Sequence, residues 1–520
     1  MKKSCLKKHG TPVKTRGFSP RHIPFSMPKT PAIRKCLSEL EAAGFSRRLW
    51  EKDASLWKDS PEHRNIILNS LGWLTVPEKM ADRMPEIREF AEEIKKEDFT
   101  HCVLLGMGGS SLAPEVMRCV LSPKAGYPSL MVLDSTDPGW VLGVSDAIDP
   151  AKTLFIVSSK SGSTIEPNSF FKFFYDIVQK SGKKNPGGNV PLLTNRNFAA
   201  ITDPGTVLAK TAEEKRFRKV FLNPSDIGGR FSALSFFGLV PAAVSGVDVQ
   251  VLLDRAMRMA QACREPENNP GVALGCAMAA MAQAGRDKLT LVMPSRLESL
   301  GLWIEQLVAE STGKEGLGIV PITGEELSGP DAYGSDRFFV HICPGSFRDE
   351  NTETALRMLK KNGHPVARIT IKDRNDLGAE FFRWETATAA AGALLKINPF
   401  DQPNVQDSKS RTAGILKKMK KTGGPKELGT VVHTTLFDAF LSESVMLQLP
   451  GKISDPDNIL RDFLSMIRKG GLCRHTRLPA AESGNGKNAE ISAGLAALPI
   501  RCRDPFRVWP AISALFRAVA

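Results

Sequence analysis

The chain has 520 residues, 42% apolar and 24% charged, the make-up of an ordinary globular protein large enough for two or three domains. Its formal charge of +14 invites a nucleic-acid reading, but the basicity is terminal. Residues 1–30 carry eight Lys/Arg and no acid, residues 474–520 carry seven against three, and the body is left nearly balanced, which argues against a DNA-reading surface.

Residues 1–30, rich in Lys, Pro and Gly without a periodic face, read as a disordered basic leader. Residues 31–97 read as a helical lead-in, with Leu37, Leu40, Phe45, Leu49 and Trp50 recurring every three to four positions. An α/β alternation follows. Cys102–Leu105 is a short buried strand that runs into Gly106-Met-Gly-Gly-Ser-Ser111 and a helix through Val116, Met117 and Val120. Leu130–Leu133, Thr153–Val157 and Phe198–Thr202 are further strands, each feeding a helix, as in a doubly wound parallel sheet. A helical stretch from about Phe231 to Ala284 leads to a second set of strands at Leu289–Met293, Phe338–Ile342 and Ala367–Ile371. An Ala-rich helix then spans Phe381–Leu395. The expected organisation is a first α/β subdomain over 98–245, a second over 246–470, and an atypical tail over 471–520.

Nine scattered cysteines, with no CxxC pair and no Cys/His cluster at metal spacing, fit a reducing cytoplasm and neither a disulfide scaffold nor a zinc site. No apolar run is long enough to span a membrane, and the leader lacks the apolar core of a secretory signal.

Chemistry concentrates in Ser158-Ser159-Lys160-Ser161-Gly162-Ser163-Thr164, placed between a strand and a helix. Free N–H groups at a helix N-terminus, five hydroxyls and an ammonium suit a phosphate. Taken alone, the loop is equally well a solvated turn capped by its own hydroxyls. The glycine-rich turn at 106–111 is not spaced as GxGxxG, so a nucleotide-dependent enzyme ranks low.

These two loops combine with Gly228-Gly-Arg-Phe-Ser232, Glu305-Gln306, Glu310-Ser-Thr-Gly-Lys314 and Asn398-Pro-Phe-Asp-Gln402 running to Lys409. The set resembles the phosphoglucose isomerase family over roughly residues 35–470. The likeness is nearest to the isomerase half of bifunctional transaldolase/phosphoglucose isomerase proteins. It implies two sugar-isomerase (SIS) subdomains, a sugar-phosphate substrate, interconversion of glucose 6-phosphate and fructose 6-phosphate through an enediol, no metal or organic cofactor, and a homodimer. Residue by residue, it implies that Ser159, Ser161 and Thr164 hold the 6-phosphate, with Lys160 adding charge. Gly108, Gly109 and Ser110 let backbone approach the sugar, and Gln306 contacts it. Glu310 is the base, in apolar surroundings from Trp303 and Val308 that suit a raised pKa. Arg230 stabilises the enediolate, and Lys409 assists ring opening.

Two features depart from the family. Its ring-opening histidine has no counterpart: His341 lies in a strand pattern as a core residue, and His364 reads as a turn residue. After about Lys469 the text becomes Arg-, Pro- and Ala-rich without credible elements. Codons chosen from Gly470 onward can be shifted by one base into a text with strand and helix periodicity that resembles the family's C-terminus, so the tail is expected to be frame-shifted. Resequencing the gene across those glycine codons decides it, and an unshifted read ends the idea. The alternative functions are a non-catalytic sugar-phosphate-binding module, which keeps the fold without the chemistry, or an inactive remnant of a bifunctional gene.

Overall fold

The β-branched and aromatic runs become two five-stranded sheets with helices on both faces. The computed structural model describes residues 25–182, 196–345 and 349–422, and four short strands beyond them. Residues 1–24 and nearly all of the 471–520 tail lie outside the described residues, and the frame-shift expectation lies there with them. Contacts divide the chain after Gln402, so the second subdomain, expected to run to 470, shares a compact unit with the first and ends there.

In the first sheet, β2 (His101–Leu105), β3 (Ser129–Leu133), β4 (Thr153–Ser158), β5 (Phe198–Thr202) and β6 (Lys219–Leu222) are all parallel, in the order β3-β2-β4-β5-β6. The second holds β7 (Lys288–Val292), β8 (Val320–Ile322), β9 (Arg337–Pro344) and β10 (Val366–Ile371), mutually parallel. Its edge departs from the expected parallel sheet. There β1 (Phe25–Ser26) pairs antiparallel with β10, placing Phe25 opposite Ile369. The leader expected over 1–30 is therefore ordered from Phe25, and Thr30 caps the next helix, accepting from the Ile33 N–H at 3.2 Å.

Strand alternation decides what each face buries. Leu104, Ile156 and Ile201 turn inward to a core shared with Leu289, Val340 and Ile369 of the second sheet and with the Phe236–Val244, Pro270–Gln283 and Leu377–Leu394 helices. Val103, Phe155, Val157 and Phe198 face the other way, onto Phe170, Phe171 and Phe174 of the Ile165–Gly182 helix. Phe155 stacks on Phe174 and Phe198 at ring-centroid distances of 4.9 and 5.1 Å. Truncating one of these rings to Ala costs about 3–5 kcal/mol. The Glu350–Lys361 helix covers the outer face of the second sheet through Leu356 and Leu359.

The Leu377–Leu394 helix carries Glu385 fully buried, with neither carboxyl oxygen hydrogen-bonded. Burial without a cation holds its pKa well above the usual carboxylate range, so the folded state keeps the proton. The unfolded chain releases that proton from about pH 4.3 upward. The native state then binds more protons than the unfolded one, so stability falls with rising pH, by up to about 1.4 kcal/mol per unit, until the folded carboxyl ionises. Glu385→Gln, a neutral isostere, is expected to flatten that decline and raise the melting temperature at pH 8. An unchanged pH profile of thermal unfolding counts against it.

Residues from Pro403 onward form the second unit. Its described parts are the Pro403–Thr422 helix and an antiparallel sheet of β11 (Thr430–His433), β12 (Phe437–Phe440), β13 (Ala489–Ile491) and β14 (Ile500–Cys502) in the order β11-β12-β14-β13. Among the described residues no helix is long and apolar enough to cross a membrane.

Candidate active site

In the first sheet the chain winds one way from β2 to β3 and the other way from β4 to β6, so the winding reverses between the paired strands β2 and β4. A crevice opens beyond the carboxyl ends of strands at such a reversal and is where ligands bind in this fold class. The glycine-rich turn leaves β2 there, and the hydroxyl loop leaves β4 beside it. Ser158 ties the two together, its Oγ donating to the Ser110 carbonyl at 3.0 Å.

The hydroxyl loop is a cluster of donors at a helix start. Ser159 Oγ lies 3.3 Å and Ser161 Oγ 3.5 Å from Thr164 Oγ1, and Thr164 immediately precedes the Ile165–Gly182 helix. Gly162 takes φ +65°, and an added Cβ there would meet the Leu208 N–H group at 2.8 Å. Lys160 differs from expectation. Its ammonium is held by the Asp203 carboxylate and donates to the Ser225 carbonyl at 3.1 Å.

The glycine-rich turn is packed to the limit. Gly108 takes φ +53°, and a Cβ on it would lie 2.6 Å from Gln306 Nε2. A Cβ on Gly109 would lie 2.1 Å from the Gly229 carbonyl oxygen. Ser232 Oγ donates to that carbonyl at 2.7 Å and to the Gly109 carbonyl at 3.3 Å, and the second of these fixes the segment bearing Arg230 against the turn.

Arg230 is 3% exposed and uses its whole fork. Nε donates to Ser311 Oγ at 3.0 Å and one terminal nitrogen to Glu310 Oε2 at 3.2 Å. The other reaches the Pro399 and Asp401 carbonyls at 2.9 and 3.2 Å. Burial lowers its pKa, and the Glu310 charge opposes that. Glu310 occupies the last turn of the Glu298–Thr312 helix, where Gln306, one turn earlier, donates to Oε1 at 3.2 Å. The apolar surroundings expected for Glu310 are not what its carboxylate faces. Trp303 and Val308 are buried in the core, Trp303 edge-on to Phe381 at 4.8 Å, and the carboxylate meets a guanidinium instead.

One wall of the site was missed by sequence reasoning. Lys314 Nζ donates to the Asn398 carbonyl at 2.8 Å and to the Asp401 carboxylate at 2.5 Å. Burial pulls this ammonium's pKa down against the pull of Asp401. Asn398 Nδ2 sits 3.0 Å from His63 Nδ1, whose ring also lies 3.5 Å from Asp401 Oδ2. The signal was present, because Lys314 and Asp401 are opposite charges in two motifs already singled out.

Of the expected residues, the structure brings together Gly108, Gly109, Ser110, Ser159, Ser161, Thr164, Arg230, Gln306 and Glu310. Lys409 lies on the Pro403–Thr422 helix in the second unit. His341 is a buried residue of β9, its pKa pushed down to about 4 by burial and secondarily by Arg368. His364 follows the turn at Asn362 and Gly363, with its ring buried edge-on to Phe339 and Tyr333.

Residues 66–330 match the family model described as phosphoglucose isomerase. The glucose-6-phosphate isomerase of Rubrobacter xylanophilus is 30% identical over 387 residues, covering 66% of this chain and 88% of that protein. A probable glucose-6-phosphate isomerase of Methanococcus maripaludis is 27% identical, covering 65% and 82%. Among solved structures, a hypothetical protein from Thermus thermophilus superposes with a TM-score of 0.61 at 25% identity, covering 76% of this chain and all of that one. A glucose-6-phosphate isomerase from Chlamydia trachomatis gives 0.62 at 18% identity, covering 76% and 89%, which establishes the shared fold. With half its length matched by the family model, and its fold matched as well, this chain belongs to the phosphoglucose isomerase family.

Proposed function

We propose that this chain interconverts glucose 6-phosphate and fructose 6-phosphate. The observation that carries the reading is the Glu310–Arg230 pair at 3.2 Å, held by Gln306 beside the glycine turn at the mouth of the first sheet. On this reading Ser159, Ser161 and Thr164 hold the 6-phosphate at the start of the Ile165–Gly182 helix, where backbone N–H groups and hydroxyls give charge-assisted bonds of about 1.5–3 kcal/mol each. Gly108, Gly109 and Ser110 admit the sugar close to backbone.

The open-chain aldose loses its C2 proton to Glu310, and the electron pair moves toward the C1 carbonyl oxygen to give an enediolate. Arg230 lies against Glu310, so its fixed charge is already where the anion develops and needs no reorganisation. Proton exchange between O1 and O2 and return of the proton to C1 give the ketose, with no net redox change. The molecule acts as a cytoplasmic homodimer and takes no nucleic acid.

The decisive assay is conversion of fructose 6-phosphate to glucose 6-phosphate by the purified chain. Folded protein that binds the sugar phosphate without converting it points instead to a non-catalytic sensor.

Gly109→Ala gives a geometric check. Its methyl group has no room against Gly229, so the two loops must part and carry Arg230 with them. Misplacement of about 1 Å costs on the order of 10²-fold in rate. Gly143→Ala, with nothing within 4 Å, is the control and is expected to keep full activity. Equal kcat/KM for the two variants would contradict the close packing.

A further inference from the structure

We propose that Lys160 is a positioning residue that fastens the hydroxyl loop to the segment carrying Arg230, so that phosphate seating and guanidinium placement are set together. The proposal rests on the isomerase reading and departs from the expected role of Lys160 as a charge on the phosphate.

The Lys160 ammonium is shared between two anchors outside its own loop. One is the Asp203 carboxylate in the turn after β5, and the other is the Ser225 carbonyl, at 3.1 Å, in the turn after β6. The backbone repeats the first connection. The Lys160 carbonyl accepts from the Asp203 N–H at 3.2 Å and from Thr202 Oγ1 at 3.4 Å, and the Ser159 N–H donates to the Ile201 carbonyl at 3.0 Å. The second connection depends on the side chain. Ser225 is three residues before Gly228, and that stretch enters the Gly229–Phe231 turn that presents Arg230.

The stretch is itself held from outside the loop. The Asn223 N–H donates to the Thr202 carbonyl at 2.8 Å, and the Gly72 N–H to the Asp226 carbonyl at 2.6 Å. Asp226 also attracts Lys52 at 3.5 Å and Lys79 at 3.9 Å. The Lys160 side chain is the tie between this stretch and the hydroxyl loop.

Charge argues the same way. An ammonium in contact with a carboxylate presents a nearby phosphate with a dipole rather than a net charge, and the two contributions largely cancel. Within the pair the Lys160 side chain is 32% exposed and that of Asp203 10%, so the carboxylate end is sheltered from water. The phosphate is left to the hydroxyls and the helix N-terminus.

The two roles predict opposite outcomes. The experiment measures kcat and KM for fructose 6-phosphate and the Ki of inorganic phosphate for wild type, Lys160→Met, Lys160→Arg and Asp203→Asn. For a tie, Lys160→Met lowers kcat roughly tenfold or more through misplacement of Arg230, while KM and Ki stay within about threefold. Lys160→Arg, which still reaches both anchors, recovers most of the rate. Asp203→Asn leaves Ki unchanged. For a direct phosphate contact, Lys160→Met raises KM and Ki at near-constant kcat, and Asp203→Asn, which frees the positive charge, lowers both. That second pattern overturns the proposal. If Lys160→Met does not fold, Asp203→Asn still separates the two, with Ki unchanged for a tie and lowered for a direct phosphate contact. A wild type without isomerase activity removes the reading beneath the proposal, and the proposal with it.

Discussion

Glu310→Gln is expected to lower kcat by about 10²–10⁴-fold in both directions, the usual contribution of a placed general base. The substitution keeps shape and the Arg230 bond, now 3.2 Å, since the amide oxygen still accepts from the guanidinium; the new amide nitrogen faces Gln306, whose own amide must turn over to accept from it. It removes the ability to take a proton. With the phosphate contacts proposed for the hydroxyl loop left intact, KM is expected to change little. Solvent deuterium incorporation at C2 provides a second readout, because it reports proton abstraction even when net conversion is slow. A variant within tenfold of wild type in both measurements would remove Glu310 from the mechanism.

Arg230→Met is expected to be the most damaging single change, because it acts on stability and rate at once. The guanidinium is buried and satisfies Ser311, Glu310 and two backbone carbonyls. Removing one partner of such a pair costs about 3–5 kcal/mol, and the low end applies because Glu310 keeps some contact with water. The enediolate also loses its fixed counter-charge, a term of about 10²–10³ in kcat. Arg230→Lys separates the two effects. One ammonium restores charge but cannot serve four acceptors in a planar fork. The Lys variant should therefore melt closer to wild type yet remain on the order of 10²-fold slow. Thermal unfolding alongside kcat decides the matter, and a Lys variant of wild-type rate would make Arg230 a charge without directional use.

The long strands and helices of the first unit were legible because their patterns run over five or more residues. Thr153–Ser158 is β-branched and apolar, and Glu298–Thr312 has helical spacing through Trp303, Ile304, Leu307 and Val308. What escaped was short or polar. The Val320–Ile322 strand has three residues with a Pro at its centre, Phe25–Ser26 has two, and the Glu350–Lys361 helix buries only Leu356 and Leu359. Such elements are fixed by neighbours distant in sequence, which no local period records.

The site divides in the same way. Glycines and hydroxyls announce themselves by type, so Gly108, Gly109, Ser159 and Thr164 could be chosen from the text. Pairings such as Lys314 with Asp401, His63 with Asn398, and Lys160 with Asp203 join segments from 43 to 335 residues apart and belong to the tertiary structure alone. The surroundings of Glu310 were misjudged for that reason, since Arg230 arrives from a different loop 80 residues earlier.

The reach of Arg230 also sets a timetable for synthesis. Its partners follow it by 80, 81, 169 and 171 residues. At about 5–20 residues per second, the ribosome delivers the last of them about 9–35 s after Arg230 itself. For the first 80 residues of that interval the guanidinium destined for burial has no carboxylate to meet, and its two carbonyl partners come only at the end. The nascent chain must keep this loop open to water until the Asn398–Asp401 segment emerges. A pause between the two segments lengthens the time for which the cell's chaperones have an unfinished site in reach.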